Sequence, residues 1–187
     1  FDSSMNHIFD NKTADPSNVE NERRSITKAA DSLAHVYWIA ILDIDDFKKI
    51  NDNYGHLYGD EILIHLSQII KQSFREADLK FRFGGEEFVV ILKCPNKEQC
   101  ADILERFRIA VADFDFPSVG QVTVSIGATE FKKDVFNVTL LDYADQAMYF
   151  SKKKGKNCLN FFEDMVENGD YIPPEDNSGE EGEIVLF

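Results

Sequence analysis

No stretch of this sequence is apolar for long enough to cross a bilayer. The longest clean run is the seven residues from Val36 to Leu42, and Asp43 follows at once. A membrane helix needs about 20. The first residues, Phe1-Asp2-Ser3-Ser4, form neither a basic segment nor an apolar one, so no secretory signal is visible. Cysteine is scarce as well. Cys94, Cys100 and Cys158 are odd in number and show no Cys-x-x-Cys spacing. That argues against a disulfide framework or a zinc site, and leaves reduced structural thiols in a cytoplasmic protein as the expectation.

Basic charge is in short supply. Against 34 acidic residues stand 20 Lys and Arg, giving a formal net charge of −14. Nine of the acids lie between Glu163 and Phe187, where there is no Lys or Arg, so residues 1–162 carry −5. The excess is mostly a property of the tail. Without a basic face, a nucleic-acid polymer is not an expected partner. A single nucleotide held through metal ions remains open. What the chain does have is a globular composition, 43% hydrophobic and 12% aromatic with Phe dominant, enough for one domain with a sizeable core.

Residues 11–25 are polar, carry the turn signal Asp15-Pro16, and read as a loop or insertion; 26–35 suit a helix. Val36–Leu42 is rich in strand formers and reads as a buried strand. Ile62, Leu63, Leu66, Ile69, Ile70 and Phe74 recur at helical spacing. Two strand-like runs, Lys80–Phe83 and Phe88–Leu92, flank Gly84-Gly85-Glu86-Glu87 and predict a hairpin. Ile103 to Phe114 marks a second amphipathic helix, Gln121–Ile126 a strand, Leu140–Met148 a further helix, and Cys158–Phe162 a last strand. The order β-α-β-β-α-β, plus a helix and a strand, predicts an α+β fold with helices largely on one face. The boundaries expected are an N-terminal piece over 1–35, a catalytic domain over 36–162, and a flexible acidic tail over 163–187. The last four residues, Ile184 to Phe187, are apolar again and read as a short sticky end.

Two acidic clusters carry the chemistry. Asp43-Ile44-Asp45-Asp46 ends the first strand, and Glu86-Glu87 occupies the hairpin tip. Either alone reads as ordinary strand-end charge. If the strand pairs with the hairpin, however, Asp43 and Glu86 come together, and gathered carboxylates repel unless a cation compensates them. All-oxygen ligands suit Mg²⁺ or Mn²⁺, and such ions at a strand end serve phosphoryl and nucleotidyl transfer. Gly84 and Gly85 would let backbone approach a phosphate.

Arg82-Phe83-Gly84-Gly85-Glu86-Glu87-Phe88 resembles the signature of the GGDEF family of diguanylate cyclases, with Glu in the third position. Asp43 to Lys48 and Asn51 to Asp60 resemble its nucleotide-binding segment; Ser125 to Ala128, Ala144 to Tyr149, Lys152 and Gly155-Lys156-Asn157 resemble its later motifs. The match covers Val36 to Phe162, about two-thirds of the chain, with the motifs in order. The resemblance implies a palm-like fold: a ferredoxin-like βαββαβ core with a mainly antiparallel central sheet, flanked by helices, and an extra hairpin. It implies that two GTP molecules are condensed into cyclic di-GMP across a homodimer, with two Mg²⁺ or Mn²⁺ ions per half-site.

Residue by residue, the resemblance implies metal ligation by Asp43, the Ile44 carbonyl and Glu86, with Glu87 beside them. Glu86 also matches the position that assists the 3′-hydroxyl as a base. Asn51 and Asp60 match the readers of the guanine edge, where a carboxylate accepting from N1–H and the 2-amino group rejects adenine. Phe47, Lys48 and His56 match positions around ribose and phosphates, with the Gly84-Gly85 backbone nearby. Lys152 and Lys156 match positions that neutralise the terminal phosphates. Lys156 stands where Arg is usual, keeping the charge but not the bidentate fork. Arg75 and Asp78, the latter separated from Gly84 by five residues, resemble the family's inhibitory RxxD site for cyclic di-GMP; such a tetrapeptide alone is often a helix-end pair. His7, His35 and His65 lie outside these motifs. The family's opening Asp-x-Leu-Thr stretch and Asn-Arg-Arg run are absent, so the domain start is expected to be truncated, with a sensory domain upstream. Two other readings remain: a non-catalytic receptor for GTP or cyclic di-GMP, and a palm-like enzyme acting on another nucleotide.

Overall fold

A computed structural model describes residues 37–132, 135 and 137–171. The polar segment over 11–25, the helix expected over 26–35 and the apolar ending at 184–187 lie outside them. In chain order the elements are β1 Tyr37–Ile44, α1 Phe47–Tyr54, α2 His56–Ser73, β2 Leu79–Gly84, β3 Glu87–Lys93, α3 Lys97–Ala112, β4 Asp115–Phe116, β5 Gly120–Gln121, β6 Val124–Glu130, α4 Asn137–Lys153, β7 Leu159–Phe161 and α5 Phe162–Glu167. This is the expected α+β, palm-like arrangement.

The main sheet runs β2-β3-β1-β6-β7, with every neighbouring pair antiparallel except β6–β7. β1 is central and covered on both faces, which is why it reads as a continuous apolar run rather than an alternation. Its even-numbered residues Trp38, Ala40, Leu42 and Ile44 join the larger core, filled by Leu66, Phe74, Leu104, Phe107 and Val111 from α2, α3 and the loop after α2. Its odd-numbered Ile39 and Ile41 join a second core with Val89, Ile91, Leu140, Ala144 and Met148. Three helices thus cover one face, as expected, but α4 covers the other. The alternation continues one step further and puts Asp43 on the α4 face.

Cys94 and Cys100 are buried free thiols, and burial pushes the titration of both upward. That suits structural cysteines. Among the described residues no helix is long and apolar enough to cross a membrane.

The acidic tail needs one correction. Composition predicts flexibility from Glu163 onward, yet Phe162–Glu167 is helix α5. Its first two acids have protein partners. Glu163 Oε1 accepts from Thr129 Oγ1 at 2.7 Å and from the Glu130 N–H at 2.9 Å, and Asp164 pairs with Lys97. Phe162 stacks on Tyr143 with ring centroids 4.0 Å apart, and Met165 is buried beside it. An apolar edge and local charge partners together outweigh the repulsion that the composition suggests. Residues 172–187 lie outside the described residues.

Candidate active site

Three carboxylates and a lysine lie at one end of the sheet, two of the carboxylates close enough to raise the titration of the third. In the β1–β3 register Asp43 stands directly opposite Glu87, so their side chains leave the same face. Glu86 lies at the tip of the β2–β3 turn. The turn needs a residue with positive φ, and Gly85 supplies it at 49°. Arg82 clamps this tip, donating from Nε and Nη2 to the Gly85 carbonyl at 3.1 and 2.7 Å. From the α4 face Lys152 reaches in, with Nζ 2.6 Å from Asp43 Oδ1.

Asp43 is only 3% exposed. Burial pushes its carboxyl up to about 6; Lys152 works against this, while the charges of Glu86 and Glu87 add to it. A buried carboxylate under pressure from two more carboxylates is a site that a hard divalent cation would stabilise. The donor chemistry therefore fits Mg²⁺ or Mn²⁺. Among the described residues, no three acidic, His or Cys side chains already converge on a single point, so the donors remain divided between β1 and the hairpin.

The other acids of the first cluster do different work. Asp46, in a left-handed conformation with φ 57°, heads α1. Lys156 at 2.7 Å and Lys49 at 2.6 Å hold its carboxyl down to about 2. Asp45 points inward and accepts from Thr123 Oγ1 and Ser125 Oγ, both at 2.6 Å, and from the Asn157 N–H at 3.0 Å. The sequence offers no reason to separate Asp45 from its neighbours.

A second group forms where α1 meets α2. Asn51 is half-buried, and its Oδ1 is buried without a hydrogen-bond partner. Gly59 makes room for it: a Cβ there would lie 2.0 Å from Asn51 Oδ1. Asp60, Lys48 and His56 are exposed around this corner. Phe47 lies at the start of α1, with its ring buried in the larger core against Gly59. Nothing in the sequence announces α1, because Asn51 to Gly55 has the composition of a turn.

Arg75 and Asp78 lie at the opposite end of β2 from the hairpin tip. Asp78 is buried, and its carboxylate accepts from the Arg75 N–H at 2.9 Å. Asp78 N–H returns a bond to the Arg75 carbonyl at 3.1 Å, so the two residues close a tight turn through the backbone. The structure therefore separates this pair from Asp43, Glu86 and Glu87.

A five-stranded, mainly antiparallel sheet flanked by helices, with acids at the end of its central strand, is a palm-like architecture. Residues 17–158 match the family model described as "Diguanylate cyclase, GGDEF domain". The chain belongs to that family. It is 41% identical over 124 residues to the diguanylate cyclase DgcP of Pseudomonas aeruginosa, covering 65% of this chain and 18% of the relative. It is 39% identical over 123 residues to diguanylate cyclase A of Treponema denticola, covering 64% and 33%. The chain thus spans from under a fifth to a third of the length of these relatives. Among solved structures, the GGDEF domain of DgcB from Caulobacter crescentus in complex with c-di-GMP matches with a TM-score of 0.70 and 28% identity, covering 87% of this chain and 98% of that one. The active GGEEF domain of a diguanylate cyclase from Vibrio cholerae matches at 0.67 and 26%, covering 78% and 95%.

Proposed function

We propose that this domain is one half-site of a diguanylate cyclase, joining two GTP molecules into cyclic di-GMP with release of pyrophosphate. The observation that carries the reading is the register that sets Asp43 opposite Glu87, beside Glu86, with Lys152 against it. Asp43, the Ile44 carbonyl, Glu86 and Glu87 would hold two Mg²⁺ or Mn²⁺ ions. When bound, these ions supply charge neutralisation at the triphosphate. Glu86 accepts the proton of the attacking 3′-hydroxyl, and Lys152 and Lys156 neutralise the terminal phosphates. Asn51 and Asp60 bind the guanine edge, with Phe47, Lys48 and His56 around the sugar and phosphates.

One half-site holds one GTP, so two copies must face each other about a two-fold axis. Specific activity should therefore rise with protein concentration. Arg75 and Asp78 would bind cyclic di-GMP as an inhibitor, once the Asp78 carboxylate is released from the Arg75 N–H. The deciding assay is turnover: purified protein with GTP and Mg²⁺ should yield cyclic di-GMP, and ATP should yield no cyclic dinucleotide. A protein that pairs with nucleotide yet releases no product would instead be a receptor.

The guanine corner has its own test. In Gly59→Ala the new methyl displaces the Asn51 amide, a side chain that can rotate away. The fold should survive, while KM for GTP rises about tenfold through loss of one oriented hydrogen bond. Steady-state kinetics with a parallel melting curve would check both halves of that statement.

A further inference from the structure

Asp45 is a buried acid bonded through both of its carboxylate oxygens, and the proposed chemistry gives it no role. It is 5% exposed. Its Oδ1 accepts from Ser125 Oγ at 2.6 Å; its Oδ2 accepts from Thr123 Oγ1 at 2.6 Å and from the Asn157 N–H at 3.0 Å. Its own N–H donates to the Thr123 carbonyl at 2.9 Å. A carboxylate with these partners is committed to protein groups and is poorly placed to serve as a ligand.

The bond to Asn157 joins two turns that each carry unusual backbone. Asp46 has φ 57°, Lys156 has φ 66° and Asn157 has φ 46°, all left-handed and none of them glycine. Such residues persist only where their surroundings over-determine them. The 155–157 turn is held from three directions. Asp45 takes the Asn157 N–H, Arg108 Nη1 donates to Asn157 Oδ1 at 2.7 Å, and the Lys156 N–H donates to the Ser151 carbonyl at 3.0 Å. The outcome is one fixed place for Lys156, whose Nζ lies 2.7 Å from Asp46 Oδ2 at the edge of the site.

We propose that Asp45 is a positioning residue for Lys156: its buried carboxylate fastens the 155–157 turn to the end of β1 and so fixes the lysine that receives the terminal phosphates of GTP. This rests on the cyclase reading. It also explains how a lysine can serve as that phosphate contact. Lys has a long flexible stem and no rigid fork, so placing its Cα accurately supplies order that the side chain lacks.

The experiment is a double-mutant cycle with Asp45→Asn and Lys156→Met, read by KM for GTP, by kcat, and by titration of GTP in the presence of Ca²⁺. Asp45→Asn keeps the shape but replaces one accepting oxygen with a donor. KM for GTP should rise about tenfold with kcat within about twofold, and the change should vanish in the Lys156→Met background. Arg108→Ala, which frees the same turn from the α3 side without touching the buried carboxylate, should give the same Lys156-dependent rise. It keeps the idea testable should Asp45→Asn fail to fold. Equal effects in both Lys156 backgrounds, or a fall in kcat alone, would overturn the assignment. Wild-type protein that binds GTP without turnover would defeat the cyclase reading but leave the titration arm able to judge Asp45.

Discussion

Asp43→Asn is expected to lower cyclic di-GMP formation by about a thousandfold or more, and in the presence of a chelator to raise the melting temperature at neutral pH. The first effect follows from losing the one buried carboxylate among the proposed ligands. The second follows from its titration. Burial pushes the Asp43 carboxyl up from 3.8 to about 6, against the pull of Lys152, with Glu86 and Glu87 adding to the rise. A folded value above the unfolded one means that the native state binds this proton more tightly, so ionisation of Asp43 opposes folding. The penalty is absent below about pH 4, grows as pH rises towards 6, and is complete above that. At about 1.4 kcal/mol per unit it is on the order of 3 kcal/mol. That figure already contains the attraction of Lys152, and the imperfect match of an amide to the partners of the protonated carboxyl leaves a net gain of about 1–2 kcal/mol. That corresponds to roughly 3–6 °C in Tm for a domain of this size.

The difference between variant and wild type, measured by thermal melts in EDTA, should be near zero at pH 4 and largest near pH 7. Glu86→Ala should remove activity to a similar extent with a much smaller pH-dependent gain, because burial, not the Glu86 charge, is the main cause of the rise at Asp43. An Asn variant that melts below wild type at pH 7 would mark Asp43 as a structural residue whose loss of activity is secondary.

Why are these residues visible from sequence? β1 and the β2–β3 hairpin are written in long apolar runs broken by glycines, and those signals survive without tertiary context. Asp43 and Glu87 then follow from alternation, since each continues the α4-facing side of its strand past the last apolar residue. The elements that escape are those whose stability is tertiary. α1 is eight residues of mostly polar character, held by burial of Phe47. α5 looks like solvated acid until Thr129, Glu130, Lys97 and Tyr143 come into place around it. β4 and β5 are two residues each, below any periodicity. Asp45 is illegible for another reason. Its partners Thr123, Ser125 and Asn157 lie about 80 to 110 positions away, and only the folded sheet brings them to one carboxylate. The lysines sit between these cases: sequence resemblance marks Lys152 and Lys156, but only the structure gives each a carboxylate partner, Asp43 and Asp46 respectively.

The largest loss of stability is expected from a single methyl group, in Gly127→Ala. Gly127 lies on β6 opposite Ile41, on the face that α4 covers. A Cβ at this position would fall 1.9 Å from the Met148 N, 2.2 Å from the Ala144 carbonyl oxygen and 2.6 Å from the Ala147 carbonyl carbon. These are backbone atoms of a helix, so no rotamer change can make room, unlike the Asn51 amide beside Gly59. The helix must move away from the sheet as a body. That opens the core formed by Ile39, Ile41, Val89, Leu140 and Met148. It also breaks the bond from Ser151 Oγ to the Ile126 carbonyl at 2.7 Å, which pins the end of α4 that carries Lys152. Overpacking against rigid backbone, which also pries open the apolar layer beneath α4, is expected to destabilise by at least about 4 kcal/mol. Against a total of about 5–15 kcal/mol, a loss of that size leaves a domain from the lower part of the range marginal at 37 °C. Denaturant titration followed by circular dichroism should show a large fall in midpoint for Gly127→Ala and a small one for Gly59→Ala. Because Lys152 rides on the displaced helix, whatever fraction of Gly127→Ala stays folded should also have lost most of its turnover. A Gly127→Ala protein that melts within a few degrees of wild type would mean that α4 does not lie this close to β6, and the Lys152–Asp43 pairing would have to be reconsidered with it.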